Sequence, residues 1–417
     1  MRAIPVILVS AALGAGAIGA AVKLGPTPPS AAPHEEWDRR PGPDSGRVAI
    51  LLDALGRTDP IVCELIGDQL GNVWNGGERG SVGRLAGSPE GLQAAKDSIG
   101  GHVTDPRAIN RLVAELGGSS ACIRRVAGKM LGHSAIAPAR MNSLLGDATP
   151  TVREAAAYAA GTAEMRDVRG TLERALDDQH PAVAAMAAWA LGEIEDRASV
   201  PPLLEVLRGS DTRVRLATIW ALGQIEDTRV VPDLIAMLRD ADPTIRAMTA
   251  DVLGDLEDQA AIAPLERALA SDADARVRME AAASLGELSA ESSAGALGRA
   301  LGDADIRVRR AAAEALGQLD DLKSAPPQLV SALQSNDAEL RHHAAEALAE
   351  IADPTTTSAL IGLLSDADAE LRKEATEALG EIGTPAAVKG LTRALEDRDP
   401  EVRRAAVEAL GEAKESQ

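Results

Sequence analysis

One motif recurs along the chain at a nearly constant interval, and this periodicity limits the possible folds more than any other feature. Each copy contains an aliphatic residue that arginine follows in most copies, and successive copies lie 31 or 32 residues apart. The aliphatic residues, which mark position 0 of each copy, are Val152, Val183, Val214, Ile245, Val277, Val308, Leu340, Leu371 and Val402. A fixed period between about 20 and 50 residues is typical of a solenoid. We therefore expect each copy to form one unit that stacks on its neighbours.

The pattern within each copy predicts two helices. Counted from the aliphatic residue as position 0, apolar residues fall at 0, +3 or +4, +7 and +8, as in Val308, Ala311, Ala312, Ala315 and Leu316, which indicates one buried helical face. An aspartate at −3, such as Asp242, is a typical N-cap, and we interpret the frequent glycine at +9 as the end of the helix. A second apolar run separates successive copies, as in Val200, Leu203, Leu204, Val206 and Leu207. The sequence thus predicts an all-α fold, an α-solenoid of antiparallel helix pairs.

The consensus D-x-D-x-x-V-R-x-x-A-A-x-A-L-G-x-I resembles HEAT repeats of the phycobilisome-lyase type, strongly over 145–417 and weakly over 47–144. The resemblance implies an armadillo/HEAT-like superhelix that binds other proteins in its concave groove. It also implies that arginine at +1 and aspartate at −5 form a ladder between adjacent repeats. Ala184 departs from the arginine pattern, and Gly209 and Ser335 depart from the aspartate pattern. We expect the ladder to be interrupted at these positions.

The beginning of the chain differs from the repeats. Residues 4–22 form an almost unbroken apolar run after Arg2, so 1–24 is interpreted as a cleaved signal peptide or as an N-terminal membrane anchor. Both alternatives indicate export to the bacterial periplasm or cell envelope. A Pro-rich tether is predicted at 25–46, degenerate repeats at 47–144 with an inserted loop at 75–90, and regular repeats at 145–417. The two cysteines, Cys63 and Cys122, are expected to lie too far apart for a disulfide.

Composition and motifs restrict the possible functions. The net charge of −20 argues against nucleic-acid binding, which requires a basic surface to neutralise phosphates. Nucleophile and zinc-protease motifs are absent from the sequence, and His342, His343 and Glu346 form only a weak candidate metal site. We expect a non-catalytic protein-binding scaffold without metal or cofactor. The alternative is a lyase-type or tetrapyrrole-handling enzyme, because some proteins that resemble these repeats are bilin lyases.

Candidate binding residues lie on the helix face that the apolar core does not use. At 100° per residue, positions −1, +2, +6 and +10 point between about 200° and 280° from position 0, and the family resemblance assigns this stripe to the groove. We predict a partner-binding groove and an acidic row that attracts a basic partner. The groove residues, taken from +2, +3 and +6, are Tyr158, Met186, Trp189, Leu216, Trp220, Met248 and Met279. The acidic row, at +6, is Glu314, Glu346, Glu377 and Glu408.

Each set also has a simpler interpretation. The aromatic side chains at +6 could pack against the helix of an adjacent repeat instead of binding a partner. The glutamates of the acidic row could form an ordinary solvated face.

Overall fold

A computed structural model describes residues 43–56, 102–209, 211–319 and 321–415. This part of the chain contains 21 α-helices and no β-strand; one isolated bridge joins Val103 and Ser134. The all-α prediction is therefore confirmed. The interpretations of 1–24, of most of the tether and of the loop at 75–90 lie outside the described residues. Within the described ranges, no helix has the length and hydropathy that a membrane span requires.

Four helices precede the regular repeats, and the later helices alternate between the first and second helix of a pair. The early helices are α1 (Ser45–Gly56), α2 (Pro106–Glu115), α3 (Ala121–Gly132) and α4 (Pro138–Leu145). The first helices are α5 (Pro150–Thr162), α7 (Pro181–Ile194), α9 (Thr212–Gln224), α11 (Pro243–Asp255), α13 (Ala275–Glu287), α15 (Ile306–Gly317), α17 (Ala338–Ile351), α19 (Ala369–Ile382) and α21 (Pro400–Glu415). The second helices are α6 (Arg169–Ala175), α8 (Val200–Val206), α10 (Val231–Met237), α12 (Ile262–Ser271), α14 (Ala294–Ala300), α16 (Pro327–Ala332), α18 (Thr357–Leu363) and α20 (Pro385–Ala394).

The chain divides into two compact units, Met1–Ile225 and Glu226–Gln417. Inside each unit, consecutive first helices pack on one another, and each first helix also packs on a second helix. The contacts are made by small and aliphatic side chains. The residues at +7, mostly alanine, and at +8, mostly leucine, are fully or nearly fully buried in most repeats. Stacking is necessary because neither helix of a pair can bury its apolar face alone.

The N-caps follow the sequence prediction. The aspartate at −3 accepts a hydrogen bond from a backbone N–H of the first turn in α9, α11, α13, α15, α17 and α19. For example, Asp242 Oδ1 lies 2.9 Å from the backbone nitrogen of Thr244. Such a cap satisfies one of the unpaired donors at the start of a helix and stabilises it by about 1 kcal/mol.

The interpretation of the glycine at +9 as a helix terminator is wrong for most repeats. Only α15 among the described first helices of the regular repeats ends at its glycine, Gly317, and the others continue beyond it. The turn comes at +12, where the backbone takes a positive φ of 43–60°. The residues at this position are Glu164, Glu195, Glu226, Glu257, Ser289, Ala352 and Gly383.

The glycine at +9 serves instead to let neighbouring first helices approach closely. A Cβ atom placed on Gly161 would lie 2.8 Å from the Cα atom of Ala190, and one on Gly192 would lie 2.8 Å from the Cα atom of Ala221. A side chain at Gly161 or Gly192 would therefore collide with the backbone of the next repeat.

The ladder between repeats is present. The arginine at +1 donates from Nε and Nη2 to both carboxylate oxygens of the aspartate at −5 of the next repeat, as from Arg153 to Asp178 at 2.6 and 2.8 Å. Its Nη1 also donates to a backbone carbonyl of its own repeat, that of Asp147 at 2.8 Å. The other complete rungs are Arg246 with Asp272, Arg278 with Asp303, and Arg372 with Asp397. Each rung lowers the pKa of its carboxyl group.

The expected interruptions of the ladder also occur. Ala184 and Gly209 occupy the two ends of one rung, so the loss of the arginine coincides with the loss of the aspartate. Ser335 faces Arg309, whose Nη1 donates only to the backbone carbonyls of Asp303 and Ala304. At the Ala184–Gly209 position, the arginine and the aspartate are absent together, so neither leaves an unpaired charge.

The expectation of two separate thiols is wrong. Cys122, at the start of α3, is disulfide-bonded. Cys63, the other cysteine of the sequence, lies outside the described residues. The expected separation assumed a regular repeat between the cysteines, whereas a disulfide requires Cα atoms within about 7 Å.

Candidate partner-binding surface

The three aromatic residues at +6 of α5, α7 and α9 form a continuous stack. The ring centroids of Tyr158 and Trp189 lie 5.3 Å apart with an interplanar angle of 23°. Those of Trp189 and Trp220 lie 6.3 Å apart at 19°. The stack arises because each residue holds the same position on one of three adjacent parallel first helices. We call this set the aromatic row.

Each ring of the aromatic row leans onto the first helix of the preceding repeat. A Cβ atom on Gly161 would lie 2.8 Å from Cζ3 of Trp189, and one on Gly192 would lie 2.8 Å from Cζ3 of Trp220. Trp189 is consequently buried, with 7% of its surface exposed, whereas Tyr158 and Trp220 are half-buried. The packing interpretation therefore holds for Trp189, and only the two end rings offer much surface to a partner.

The apolar groove residues at +2 and +3 divide between the two units. Met186 and Leu216 belong to the unit of the aromatic row, and both are half-buried. Met248 on α11 and Met279 on α13 are half-buried in the second unit. Half-buried methionines combine a fixed position with a side chain that adapts to irregular surfaces.

The acidic row differs from the aromatic row in exposure. Glu314, Glu346, Glu377 and Glu408 are all exposed. Three of them lie 3.6–3.9 Å from a basic group of their own helix: Glu346 near His343, Glu377 near Lys373 and Glu408 near Arg404. Glu314 forms no ion pair with any residue that the structure describes. Exposed pairs of this kind add little stability, so these carboxylates are accessible to a partner.

A second group of carboxylates, which the sequence analysis did not select, lies between α11 and α13. Burial raises the pKa of Asp251 to about 6 and that of Glu280 to about 7. The negative charges of Asp255 and Glu287 add to these shifts. We call these four residues the acidic cluster. Its sequence signal was an aspartate at +6 of α11, Asp251, together with an acidic residue at +3 of α13 and at +10 of both helices.

The first unit contains a related carboxylate beside the aromatic row. Glu193, at +10 of α7, is half-buried. Burial, together with the charges of Glu164 and Glu195, raises its pKa to about 7. A cation placed near Glu193 or near the acidic cluster would relieve this unfavourable ionisation.

The candidate metal residues do not converge on one another. His342 contacts Glu374 and Asp368 of the next repeat, whereas His343 lies 3.6 Å from Glu346. Across the described ranges, no group of three or more histidine, cysteine, aspartate or glutamate residues is arranged to hold a metal ion.

The family model described as HEAT repeats matches residues 137–217, 200–286, 268–329 and 326–411. These matches cover more than half of the sequence and coincide with the stacked pairs and their ladder. The chain is a HEAT-repeat protein. No curated protein matches its sequence.

A solved structure supports the assignment of the fold. This HEAT-repeat protein is similar to a chain from a solved structure in which Kap95p binding induces the switch loops of RanGDP to adopt the GTP-bound conformation. The TM-score is 0.55 at 15% identity, and the alignment covers 89% of this chain and 57% of that chain. A crystal structure of an engineered protein aligns with 73% of this chain and 98% of its own at 23% identity, with a TM-score of 0.46. At these identities the similarity concerns the fold alone.

Proposed function

We propose that this HEAT-repeat protein is a non-catalytic scaffold that binds a segment of another protein along the +6 face of its first helices. The observation that carries the proposal is the aromatic row, in which three rings are stacked in advance at one helix position. Aromatic residues supply a disproportionate share of binding energy at protein interfaces. Because packing already fixes these rings, their ordering would add little to the entropic cost of binding a partner.

The partner we propose is basic. The net charge of the chain is −20, and carboxylates accompany the apolar residues in both units: Glu193 beside the aromatic row, and the acidic cluster beside Met248 and Met279. These carboxylates ionise unfavourably because of burial and mutual repulsion. Lysine or arginine side chains would favour their ionised form, and binding should weaken as salt concentration rises.

Two finer assignments belong to the same proposal. The 31-residue period and the arginine–aspartate ladder favour repeats of the phycobilisome-lyase type. The apolar run at 4–22 favours export to the periplasm or cell envelope, as does the disulfide at Cys122, because disulfides persist in oxidising compartments. Mass spectrometry of the mature N-terminus in fractionated cells tests both export and cleavage.

The experiment for the binding proposal selects peptides from a displayed random library and measures their affinity by tryptophan fluorescence. We expect enrichment of basic peptides with apolar residues, and a loss of affinity of at least tenfold in Trp220→Leu. This substitution changes a half-buried end ring and leaves the central Trp189 in place. Ile50→Ala is the control, because Ile50 is an exposed apolar residue of α1, 73% accessible. Selection of acidic peptides, or equal affinity in Trp220→Leu, would contradict the proposal.

A further inference from the structure

Adjacent first helices are connected in two different ways. Four described junctions have the complete arginine–aspartate rung from +1 to −5. The junctions α15–α17 and α17–α19 instead connect the residue at +2 to the N-cap aspartate at −3 of the next first helix. At the first, Arg310 Nε and Nη2 donate to Asp337 at 2.9 and 2.6 Å. At the second, the residue at +2 is His342, and its Nε2 lies 3.3 Å from Oδ2 of Asp368.

The usual rung is missing at α17–α19 although both of its residues are present. Arg341 donates from Nη1 to the backbone carbonyl of Ser335 at 2.8 Å, but its Nε is buried without a hydrogen-bond partner. The expected acceptor, Asp366, receives the backbone N–H of Asp368 at 2.9 Å. The polar connection between the two first helices therefore depends on His342.

Both ring nitrogens of His342 face carboxylates. Nδ1 lies 2.9 and 2.8 Å from the two carboxylate oxygens of Glu374, and Nε2 faces Asp368 on the opposite side of the ring. A neutral imidazole carries one N–H, whereas the imidazolium carries two. Only the protonated ring can donate to both carboxylates at once.

We propose that the α17–α19 junction is a proton-dependent connection, in which protonated His342 holds the last two repeats to the rest of their unit and its deprotonation loosens them. The other rungs rely on arginine, which stays charged at all physiological pH values. Among the cationic side chains that connect the described first helices, only His342 therefore changes its charge near neutral pH.

Other charged groups surround the histidine. On α17 these are Arg341, His343 and Glu346, and on α19 they are Glu370, Lys373 and Glu377. From α15, Arg310 binds Asp337 and Glu339 at the start of α17. Lys373 pairs with Glu370 at 2.9 Å and lies 3.8 Å from Glu377, so Glu374 depends on His342 for its closest positive charge.

The direction of the pH effect follows from two pKa shifts. Burial alone would lower the pKa of His342, but its hydrogen bonds and charge interactions with Glu374 and Asp368 outweigh burial and raise the pKa above 6.5. Burial raises the pKa of Glu374 to about 7 against the opposing effect of His342. The histidine stabilises the fold fully below 6.5 and ceases to do so as the pH rises through its folded pKa. Ionisation of Glu374 destabilises the fold in the same direction.

The experiment measures amide hydrogen exchange in α19 and α21 of the full chain at about pH 6 and about pH 8.5. These values lie on either side of the range in which histidine ordinarily titrates. The intrinsic exchange rates are corrected for pH. Helix α15, which is connected on both sides through arginine, serves as the internal reference. Relative to α15, we expect the protection of α19 to fall about tenfold at the higher pH, the order of magnitude of one hydrogen bond to a charged group. Equal protection at both pH values would overturn the proposal.

Two variants separate proton dependence from simple structural damage. His342→Arg places an arginine at +2 of α17, the residue type that α15 has at the same position as Arg310. We expect this variant to keep α19 protected at both pH values. The double variant His342→Gln, Glu374→Gln has no titratable group at either position, and we expect it to show the same protection at both pH values. An unchanged pH response in either variant would overturn the proposal. So would an NMR titration that gives His342 a pKa below that of an unperturbed histidine.

Discussion

The two units place different side chains at the same helix position with opposite results. At +6 of the unit Met1–Ile225, the aromatic row leans across the neighbouring helix and buries Trp189. At +6 of α15, α17, α19 and α21 in the unit Glu226–Gln417, the acidic row remains in solvent. The backbone register is the same in both. Whether the position is core or surface therefore depends on whether its side chain gains more from burial or from hydration.

Removal of the central ring should produce the largest difference between the rows. Trp189→Ala leaves a cavity between two helices and should lower the free energy of unfolding by about 3–5 kcal/mol. Glu346→Ala, at the same position of α17, should change it by less than about 0.5 kcal/mol. Denaturant unfolding measures both. Similar losses in the two variants would show that the two rows do not differ in their structural role.

The glycines at +9 provide the next test. Gly192→Ala brings a methyl group to 2.8 Å from the Cα atom of Ala221 and from the Trp220 ring, which should cost about 1–3 kcal/mol through overpacking. Gly411 occupies the same position in α21 with nothing within 4 Å. Gly411→Ala should therefore stabilise the helix, by about 0.5–1 kcal/mol. Thermal unfolding distinguishes these opposite signs, and a stabilising Gly192→Ala would refute the close approach inferred here.

The carboxylates beside the two rows should make stability fall as the pH rises. The raised pKa values of Glu193, Asp251 and Glu280 mean that the folded chain binds more protons than the unfolded chain between pH 4.5 and about 7. Stability in this window must decrease with increasing pH. The double variant Asp251→Asn, Glu280→Gln should reduce this decrease by about 1 kcal/mol, allowing for partial solvent screening. Glu314→Gln, an exposed change of the same kind, is the control. A pH dependence that persists unchanged in the double variant would contradict the assignment.

The smallest effect concerns the turn at +12, which both units share. Ala352 ends α17 with a φ of 47°, and Gly383 ends α19 with a φ of 60°. A left-handed backbone costs about 1–2 kcal/mol for a residue with a Cβ atom, partly offset by the greater flexibility of glycine in the unfolded chain. Ala352→Gly should therefore stabilise the protein by about 0.5–1 kcal/mol, and Gly383→Ala should have the opposite effect. Calorimetry of both variants measures the difference, and equal signs would contradict this explanation of the turn.

The sequence predicted most of the fold because the information is local and repeated. The period, the apolar positions and the N-cap aspartates each depend on a few adjacent residues, and nine copies reinforce one another. The ladder and its interruptions at Ala184, Gly209 and Ser335 followed from the family resemblance in the same way. The candidate binding site was harder to predict from the sequence. The sequence placed Tyr158, Trp189 and Trp220 in one row, but it left open whether that row packs or binds.

The amino-acid sequence alone determined the helix pairs, their order and the face on which each side chain lies, because helical geometry converts spacing directly into direction. Tertiary structure alone decided what each glycine at +9 is for, how deeply Trp189 is buried, and which partner His342 and Arg341 reach. Those outcomes depend on distances of a few tenths of an ångström between helices that are distant along the chain. Spacing within one helix does not specify such distances; only the packed arrangement of neighbouring repeats does.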